Sequence, residues 1–331
     1  MVPVMRSIMT VALYRQMLLI RILEEEIQLL CDKGQGFDAH FNTGQEAIAV
    51  GACAALEPTD YIVAHHRTIA HAVAKGVPLY PLVAELLGKS TGIAGGLAGE
   101  MHLSYPAKRF MFSFQLVGTS IPVAAGLAWA VKNYLKTQDV VAVFFGDAAT
   151  SNGQWHEGVT LAALHNLPLL LLCENNHLAG NVRPDKYLPT KTVVERASAY
   201  GITGMLVDGN RVEQVVDAVK AARNFALTKS RPVLIEFDTT RLGRHKQGQG
   251  DIRTPEELAE LWKRDPLAYE EKRLGIVPDD VAKMKAETRA LVLSTIERAL
   301  ADGVNLEEFK GVLQWQDELD GFGQGRTTDG L

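Results

Sequence analysis

The sequence predicts an α/β protein in which helices flank a parallel β-sheet. Two apolar runs, at residues 140–145 and 167–173, enclose a segment of helical composition at 155–166. Short apolar runs rich in Val, Leu and Phe are typical of buried strands. The same pattern continues along the chain, with three further predicted strands and one predicted helix at 61–64, 205–207, 233–237 and 212–227. Because strands and helices alternate, a parallel sheet is favoured.

Periodicity predicts which side of two helices faces the core. In a helix at 11–30, the apolar residues predicted to be buried are Leu13, Met17, Ile20, Leu23, Ile27 and Leu30. We expect Glu24, Glu25 and Glu26 on the solvated side of this helix. For the helix at 155–166, the residues predicted to be buried are Val159, Leu161, Ala162, Ala163 and Leu164. Additional helices are predicted at 123–134, 193–200 and 279–300.

The composition limits the class of protein. The chain has 331 residues, of which 47% are hydrophobic, and it can therefore bury one large core or two ordinary ones. A net charge of −5 gives no support to nucleic acid as a partner. The apolar runs are too short to cross a membrane, and residues 1–10 lack the pattern of a secretory signal. Since the three cysteines are too scattered for a disulfide framework, we expect a cytoplasmic protein.

Polar residues stand where the two central strands are predicted to end. Asp147 follows the first strand, and Asn176 follows the second. The carboxyl ends of parallel strands meet at one edge of a sheet, which is where open α/β sheets bind ligands. Carboxylate and amide oxygens suit a hard cation such as Mg²⁺ or Ca²⁺. The small residues Ala148 and Ala149 let a phosphate approach backbone N–H groups, so a metal-bridged diphosphate site is predicted. An ordinary βαβ unit with an aspartate at a turn is the alternative.

These residues resemble a known family. The order of Gly-Asp, a helix, and Asn-Asn at the end of the next strand is similar to the thiamin-diphosphate motif. Among enzymes with this cofactor, the chain looks most like the α subunits of 2-oxo acid dehydrogenase E1 components of the pyruvate, acetoin and branched-chain types. The stretches 44–51 (GQEAIAVG) and 99–103 (GEMHL) share the resemblance, and Gln45 and Glu46 could lie near the cofactor or on the surface. The resemblance implies the thiamin-diphosphate-binding fold.

The resemblance covers residues 11–270. We expect a thiamin-diphosphate-binding domain at residues 1–270, followed by a C-terminal helical segment and polar tail at 271–331. Three positions depart from the family. The family usually has glycine where this chain has Ala148 and histidine where it has Ile69. Mammalian-type members have a regulatory serine where this chain has Lys246. The missing histidine argues against a pyruvate dehydrogenase, whereas branched-chain-type α subunits also lack it.

The resemblance implies a role for each of nine residues. The residues expected to contact the cofactor are His66, Arg67, Val117, Asp147, Ala148, Ala149, Asn176 and His245. The expected metal ligands are Asp147, Asn176 and the main-chain carbonyl of Leu178. Arg67 and His245 are the candidate catalytic residues, because arginine binds phosphate bidentately and histidine exchanges protons near neutral pH. A zinc site made of His65, His66 and His71 would lack a matching partner cluster.

The resemblance also implies an activity and partners. The enzyme would use thiamin diphosphate and Mg²⁺ to decarboxylate a 2-oxo acid, or to cleave acetoin, and would pass the acyl group to a lipoyl-bearing E2. A separate E1 β subunit would supply the glutamate that ionises the cofactor, in an α₂β₂ heterotetramer. Two alternatives stay open: a thiamin-diphosphate carboligase or transketolase-like enzyme without a lipoyl partner, and a non-catalytic structural or regulatory subunit.

Overall fold

The structure is a computed structural model that describes residues 2–35, 39–246 and 249–305, with side chains described from residue 10 onward. The strands in this part of the chain are β1 (Tyr61–His65), β2 (Phe110–Phe114), β3 (Val141–Gly146), β4 (Leu169–Asn175), β5 (Thr203–Asp208) and β6 (Val233–Asp238). They form one sheet in the order β2-β1-β3-β4-β6-β5, and every neighbouring pair is parallel. The predicted parallel α/β fold is confirmed.

Helices cover both faces of this sheet. The α-helices in the described residues are α1 (Val2–Asp32), α2 (Glu46–Ala55), α3 (Ile69–Ala74), α4 (Leu79–Leu86), α5 (Ser120–Ala130), α6 (Gly153–Leu164), α7 (Val212–Lys229), α8 (Pro255–Trp262), α9 (Pro266–Leu274) and α10 (Pro278–Leu300). One hydrophobic core is formed with α1, α2, α3, α4, α7 and α10, and the other with α5 and α6. No helix in the described ranges has both the length and the apolar character needed to span a bilayer.

The central strands are buried on both faces. In β3, Ala142 and Phe144 belong to the first core, whereas Val143 and Phe145 belong to the second. A strand covered on both sides has no polar face, and this is why β3 and β4 read as continuous apolar runs in the sequence. These two strands therefore form the rigid centre of the molecule.

Two elements differ from the sequence prediction. Strand β2 was not predicted: it lies at the edge of the sheet, where Phe110 and Ser113 are buried and Phe112 is 43% exposed. An edge strand of five residues with such mixed burial produces no continuous apolar run. The helix predicted at 193–200 is present over Val194–Tyr200, where it is of the 3₁₀ type rather than the commoner α type.

The buried face of α1 is confirmed, and its predicted solvated side is confirmed at Glu25, which is exposed, but not at Glu24. The confirmed core residues are Leu13, Met17, Ile20, Leu23 and Ile27, while Leu30 is half-buried. Glu24 was predicted to be solvated, and it is buried. Its carboxylate accepts the backbone N–H of Asn42 at 2.8 Å and the hydroxyl of Thr43 at 3.2 Å. Burial, with a contribution from the nearby carboxylate of Glu46, raises the pKa of Glu24 to about 8.

The buried side of α6 is narrower than predicted. Leu161 and Leu164 are 37% and 73% exposed, so their predicted burial is wrong. The predicted burial of Val159 and Ala162 is confirmed, and Ala163 is half-buried. Trp155 is buried with Val159 and Ala162 in one stripe that repeats every three or four residues. Hydrophobic character alone did not identify this stripe, because apolar residues occur on both sides of the helix.

The C-terminal helix packs on the rest of the chain. Helix α10 contributes to the first core through Met284, Val292, Ile296 and Ala299. Helix α9 crosses residue 270, where the domain boundary is predicted, and the division of the chain at that point stays a prediction. The part of the predicted C-terminal tail beyond residue 305 lies outside the described residues.

Candidate active site

A pocket lies at the sheet edge where the carboxyl ends of β1, β3 and β4 converge. Gly146 at the end of β3 is paired with Glu174 near the end of β4, so the residues that follow them leave the sheet side by side. The pocket has a cavity volume of about 210 Å³. All nine predicted site residues line it: His66, Arg67, Val117, Asp147, Ala148, Ala149, Asn176, Leu178 and His245. The place is the switch point between β1 and β3, where open α/β sheets bind ligands.

Asp147 is a buried carboxylate at the floor of this pocket. It begins the 3₁₀ turn Asp147–Ser151 directly after β3 and is 1% exposed. The hydroxyl of Tyr187 donates a hydrogen bond to it. Burial nevertheless raises the pKa of Asp147, because the Tyr187 hydroxyl and the nearby backbone N–H groups do not fully replace water around the carboxylate. A divalent cation would offset this cost of burial.

Asn176 faces Asp147 from the end of β4. Its amide nitrogen donates to the side-chain oxygen of Gln45 at 3.0 Å, and its side-chain oxygen accepts the N–H of Leu178 at 3.1 Å. Gln45, whose burial the sequence left open, is 1% exposed and fixes the orientation of this amide. Together with Asp147, these residues present carboxylate, amide and main-chain oxygens, which is the ligand type that Mg²⁺ prefers.

Arg67 connects the loop after β1 to the loop that carries His245. Its guanidinium donates to the carbonyl of Phe41 at 2.8 Å and to both Nδ1 and the carbonyl of His245, at 2.8 Å and 2.7 Å. Because Nδ1 of His245 accepts, the ring proton is on Nε2. Burial lowers the pKa of Arg67 to about 10. Burial and the adjacent Arg67 lower the pKa of His245 to about 3, so this ring is neutral at pH 7.

A second buried arginine was missed by the sequence analysis. Arg241 is 1% exposed and lines the pocket, where it donates to the carbonyl of Gly180 at 2.9 Å. Its Nε is a buried donor with no hydrogen-bond partner among the described residues. Burial, together with the nearby charge of Arg67, lowers the pKa of Arg241 to about 9. An anionic ligand oxygen would satisfy this donor and the charge, so the pocket fits a diphosphate bound to a metal ion.

His40 and the carboxylate of Glu100 lie next to two histidines that line the pocket. The ring of His40 lies 4.9 Å from that of His66 and 5.0 Å from that of His245. Nδ1 of His40 is 2.5 Å from the buried carboxylate of Glu100. Neither His40 nor Glu100 was predicted as a site residue. The one indication of their importance in the sequence is their place near the family resemblance: His40 shortly precedes the stretch 44–51, and Glu100 lies within the stretch 99–103.

A pocket lined by arginine, carboxylate and amide groups at the switch point of a parallel sheet is typical of a cofactor-dependent α/β enzyme. The family model described as dehydrogenase E1 component matches residues 14–305. The chain belongs to this family.

Three curated relatives illustrate the similarity. The α subunit of acetoin:2,6-dichlorophenolindophenol oxidoreductase from Bacillus subtilis is 34% identical over 293 residues, 87% of each chain. The 2-oxoisovalerate dehydrogenase α subunit from the same organism is 34% identical over 298 residues, 87% of this chain and 90% of the relative. The α subunit of the pyruvate dehydrogenase E1 component from Zymomonas mobilis is 33% identical over 287 residues, 84% of this chain and 80% of the relative.

All three relatives are α subunits. The chain is accordingly the α-subunit type of a thiamin-diphosphate-dependent dehydrogenase. The predicted family and enzyme class are confirmed, and the family favours this role over a carboligase or a non-catalytic subunit.

The depressed pKa of His245 predicts a pH dependence of stability. The unfolded chain takes up a proton at this ring near its ordinary pKa of 6.5, whereas the folded chain does so only near 3. His245 therefore lowers the stability of the fold increasingly as the pH falls below 6.5, because only the unfolded chain takes up the proton there. Glu24, with its raised pKa, acts in the opposite sense, so the test compares wild type with His245→Gln rather than following wild type alone.

The free energies of unfolding of both proteins are measured in urea at about pH 7.5 and pH 5.5. Lowering the pH should reduce the stability of the wild type relative to His245→Gln. The prediction fails if the difference in unfolding free energy between the two proteins is the same at both pH values, or if it favours the wild type more at the lower pH. Either result would show that the fold does not lower the pKa of His245.

Proposed function

We propose that the chain is the Mg²⁺- and diphosphate-binding α subunit of an E1 enzyme that decarboxylates a 2-oxo acid or cleaves acetoin. One observation carries the proposal: Asp147, Asn176, Arg67 and His245, which are far apart in the sequence, all line one buried pocket at the sheet edge. The relatives are named for acetoin, pyruvate and 2-oxoisovalerate. Ile69 at the position of the family histidine disfavours pyruvate.

The metal ion would be held by oxygen atoms from two successive strands. Its proposed ligands are the side chains of Asp147 and Asn176 and the carbonyl of Leu178. The buried guanidinium groups of Arg67 and Arg241 would neutralise the diphosphate. The methyl side chains of Ala148 and Ala149 leave room beside the main chain of the turn, so that phosphate oxygens can approach its N–H groups.

The chain's own groups then act on the substrate. When bound, thiamin diphosphate supplies a nucleophilic carbon and an electron sink for cleavage beside the substrate carbonyl. His245 would donate its Nε2–H to a substrate carboxylate or to the diphosphate and exchange protons there. Arg67 holds this ring in the required tautomer. His66, which is half-buried beside it, has its pKa lowered chiefly by desolvation and stays neutral, which limits positive charge around the reacting atoms.

A partner subunit would complete the site. Val117, proposed to hold the aminopyrimidine ring through its main chain, is 43% exposed, and its neighbour Leu116 is 66% exposed. This open side is where an E1 β subunit would supply the ionising glutamate. Apolar side chains on the α5–α6 layer, including Trp129 at 47% and Leu164 at 73% exposure, support an α₂β₂ assembly. A lipoyl-bearing E2 would accept the acyl group.

We also propose a cytoplasmic location, because Cys53 and Cys173 are free thiols, as is usual in a reducing compartment. Residues 1–270 are proposed as the cofactor-binding domain, with 271–331 as its C-terminal extension.

The metal ligands provide the direct test of cofactor binding. Asp147→Ala and Asn176→Ala should each abolish Mg²⁺-dependent binding of thiamin diphosphate, because each removes an oxygen ligand of the ion. Calorimetric titration of the full chain, co-expressed with its β subunit, measures this affinity. Retention of wild-type affinity in either variant would refute the proposed site.

His245→Ala tests the proposed proton transfer. Turnover should fall by about 100-fold or more, as for loss of a general acid–base group, while the melting temperature changes little. His165→Ala is the matched control, because His165 is exposed at the end of α6 and far from the pocket. An unchanged rate in His245→Ala would remove this residue from the mechanism.

A further inference from the structure

Three buried groups in or next to the lining of the pocket have no role in the mechanism above. Glu174, 1% exposed near the end of β4, lies between His65 at the end of β1 and His71 in α3. Its two carboxylate oxygens face different rings, with Oε2 at 3.1 Å from Nε2 of His65 and Oε1 at 2.7 Å from Nε2 of His71. The carboxylate therefore joins the first strand of the site to the helix that follows it.

The other nitrogen of each ring contacts the main chain of one residue, Arg67. Its N–H donates to Nδ1 of His65 at 3.2 Å, and its carbonyl lies 3.1 Å from Nδ1 of His71. Since Nδ1 of His65 accepts, that ring carries its proton on Nε2 and donates it to Glu174. The carbonyl of Arg67 only accepts, so Nδ1 of His71 is protonated. Both polar groups of the Arg67 backbone are thus bound to rings whose orientation Glu174 fixes.

The charge of Glu174 is consistent with this arrangement. Burial raises the pKa of the carboxyl, but His71 and His65 outweigh burial and lower it to about 2. As an anion, Glu174 can only accept, so its two oxygens accept from the Nε2–H groups of His65 and His71. The carboxylate and the two rings are buried, and their hydrogen bonds fix which of their polar atoms donate and which accept.

We propose that Glu174 is a positioning residue, which holds the main chain of Arg67 through His65 and His71 and so directs its guanidinium toward the diphosphate and His245. The inference rests on the proposed function, which makes Arg67 a diphosphate ligand. The end of β4, which Asn176 follows, would thus also set the position of Arg67. Residues in such supporting contacts change ligand affinity although they do not touch the ligand.

A metal ion bound by the same three groups is the competing interpretation. Their ligand atoms lie within 4.8 Å of one another, which a zinc ion could bridge. Ligation through Nε2 would, however, move the proton of His65 to Nδ1, where it would face the N–H of Arg67. Two donors would then oppose each other in a buried site. The hydrogen-bond pattern therefore favours the positioning role.

Two substitutions of Glu174 separate position from charge. Glu174→Gln can accept from His65 with its carbonyl oxygen and donate to His71, so it preserves both contacts beside a neutral His71. Glu174→Ala removes both contacts. In the full chain co-expressed with its β subunit, Glu174→Ala should weaken Mg²⁺-dependent thiamin diphosphate binding by about 10–100-fold, whereas Glu174→Gln should retain it. If Glu174→Ala does not fold, His71→Leu takes its place with the same expectation.

A double-mutant cycle tests whether the effect passes through Arg67. In an Arg67→Ala background, Glu174→Ala should cause no further loss of thiamin diphosphate affinity. Additive losses would overturn the proposal, as would equal losses in Glu174→Gln and Glu174→Ala, or one equivalent of zinc bound by the purified wild type.

Asp60→Asn is the matched control. Asp60 is a fully buried carboxylate that accepts from Arg223 and from the N–H of Val140, at the opposite end of β1. It should lower the melting temperature and leave thiamin diphosphate affinity unchanged; an equal loss of affinity would assign the effect of Glu174 to general destabilisation and overturn the proposal. If Asp147→Ala keeps full affinity, the proposed function itself fails. If Asp147→Ala loses affinity and Glu174→Ala does not, only the positioning role fails.

Discussion

The pairing of β3 with β4 is the constraint on which the site depends. Gly146 is held opposite Glu174, and the two strands are buried on both faces, so the register is fixed by hydrogen bonds and by two hydrophobic cores. A slip of one residue would exchange the side chains facing the two cores. Asp147 and Asn176 consequently leave the sheet side by side, and the loops that carry Arg67 and His245 close around them.

The pocket concentrates buried charge around these two residues. Arg67 and Arg241 are cations with depressed pKa values, and Asp147 is a carboxylate with a raised pKa. Each shift means that burial costs free energy in the charged form. A metal-bound diphosphate would reduce these costs together, because the ion pairs with the carboxylate while the anion pairs with the arginines. The fold thereby provides charges that are oriented before the cofactor binds.

The sequence predicted what depends on neighbouring residues and missed what depends on distant ones. The apolar runs of β3 and β4, and the polar residues that follow them, could be read locally. Glu24 is buried because the loop that carries Asn42 and Thr43 folds over it, and no feature of α1 indicates this. The edge strand β2 and the role of Glu174 likewise arise from tertiary contacts. His71, which lies two residues beyond Ile69, contacts Glu174 and does not line the pocket.

A crystal structure of the chain with its β subunit, grown with thiamin diphosphate and Mn²⁺ in place of Mg²⁺, tests the central claim directly. One anomalous peak is expected within coordination distance of the side chains of Asp147 and Asn176 and the carbonyl of Leu178, next to the diphosphate. A peak between His65, His71 and Glu174 instead, or a diphosphate bound away from the ends of β3 and β4, would contradict it.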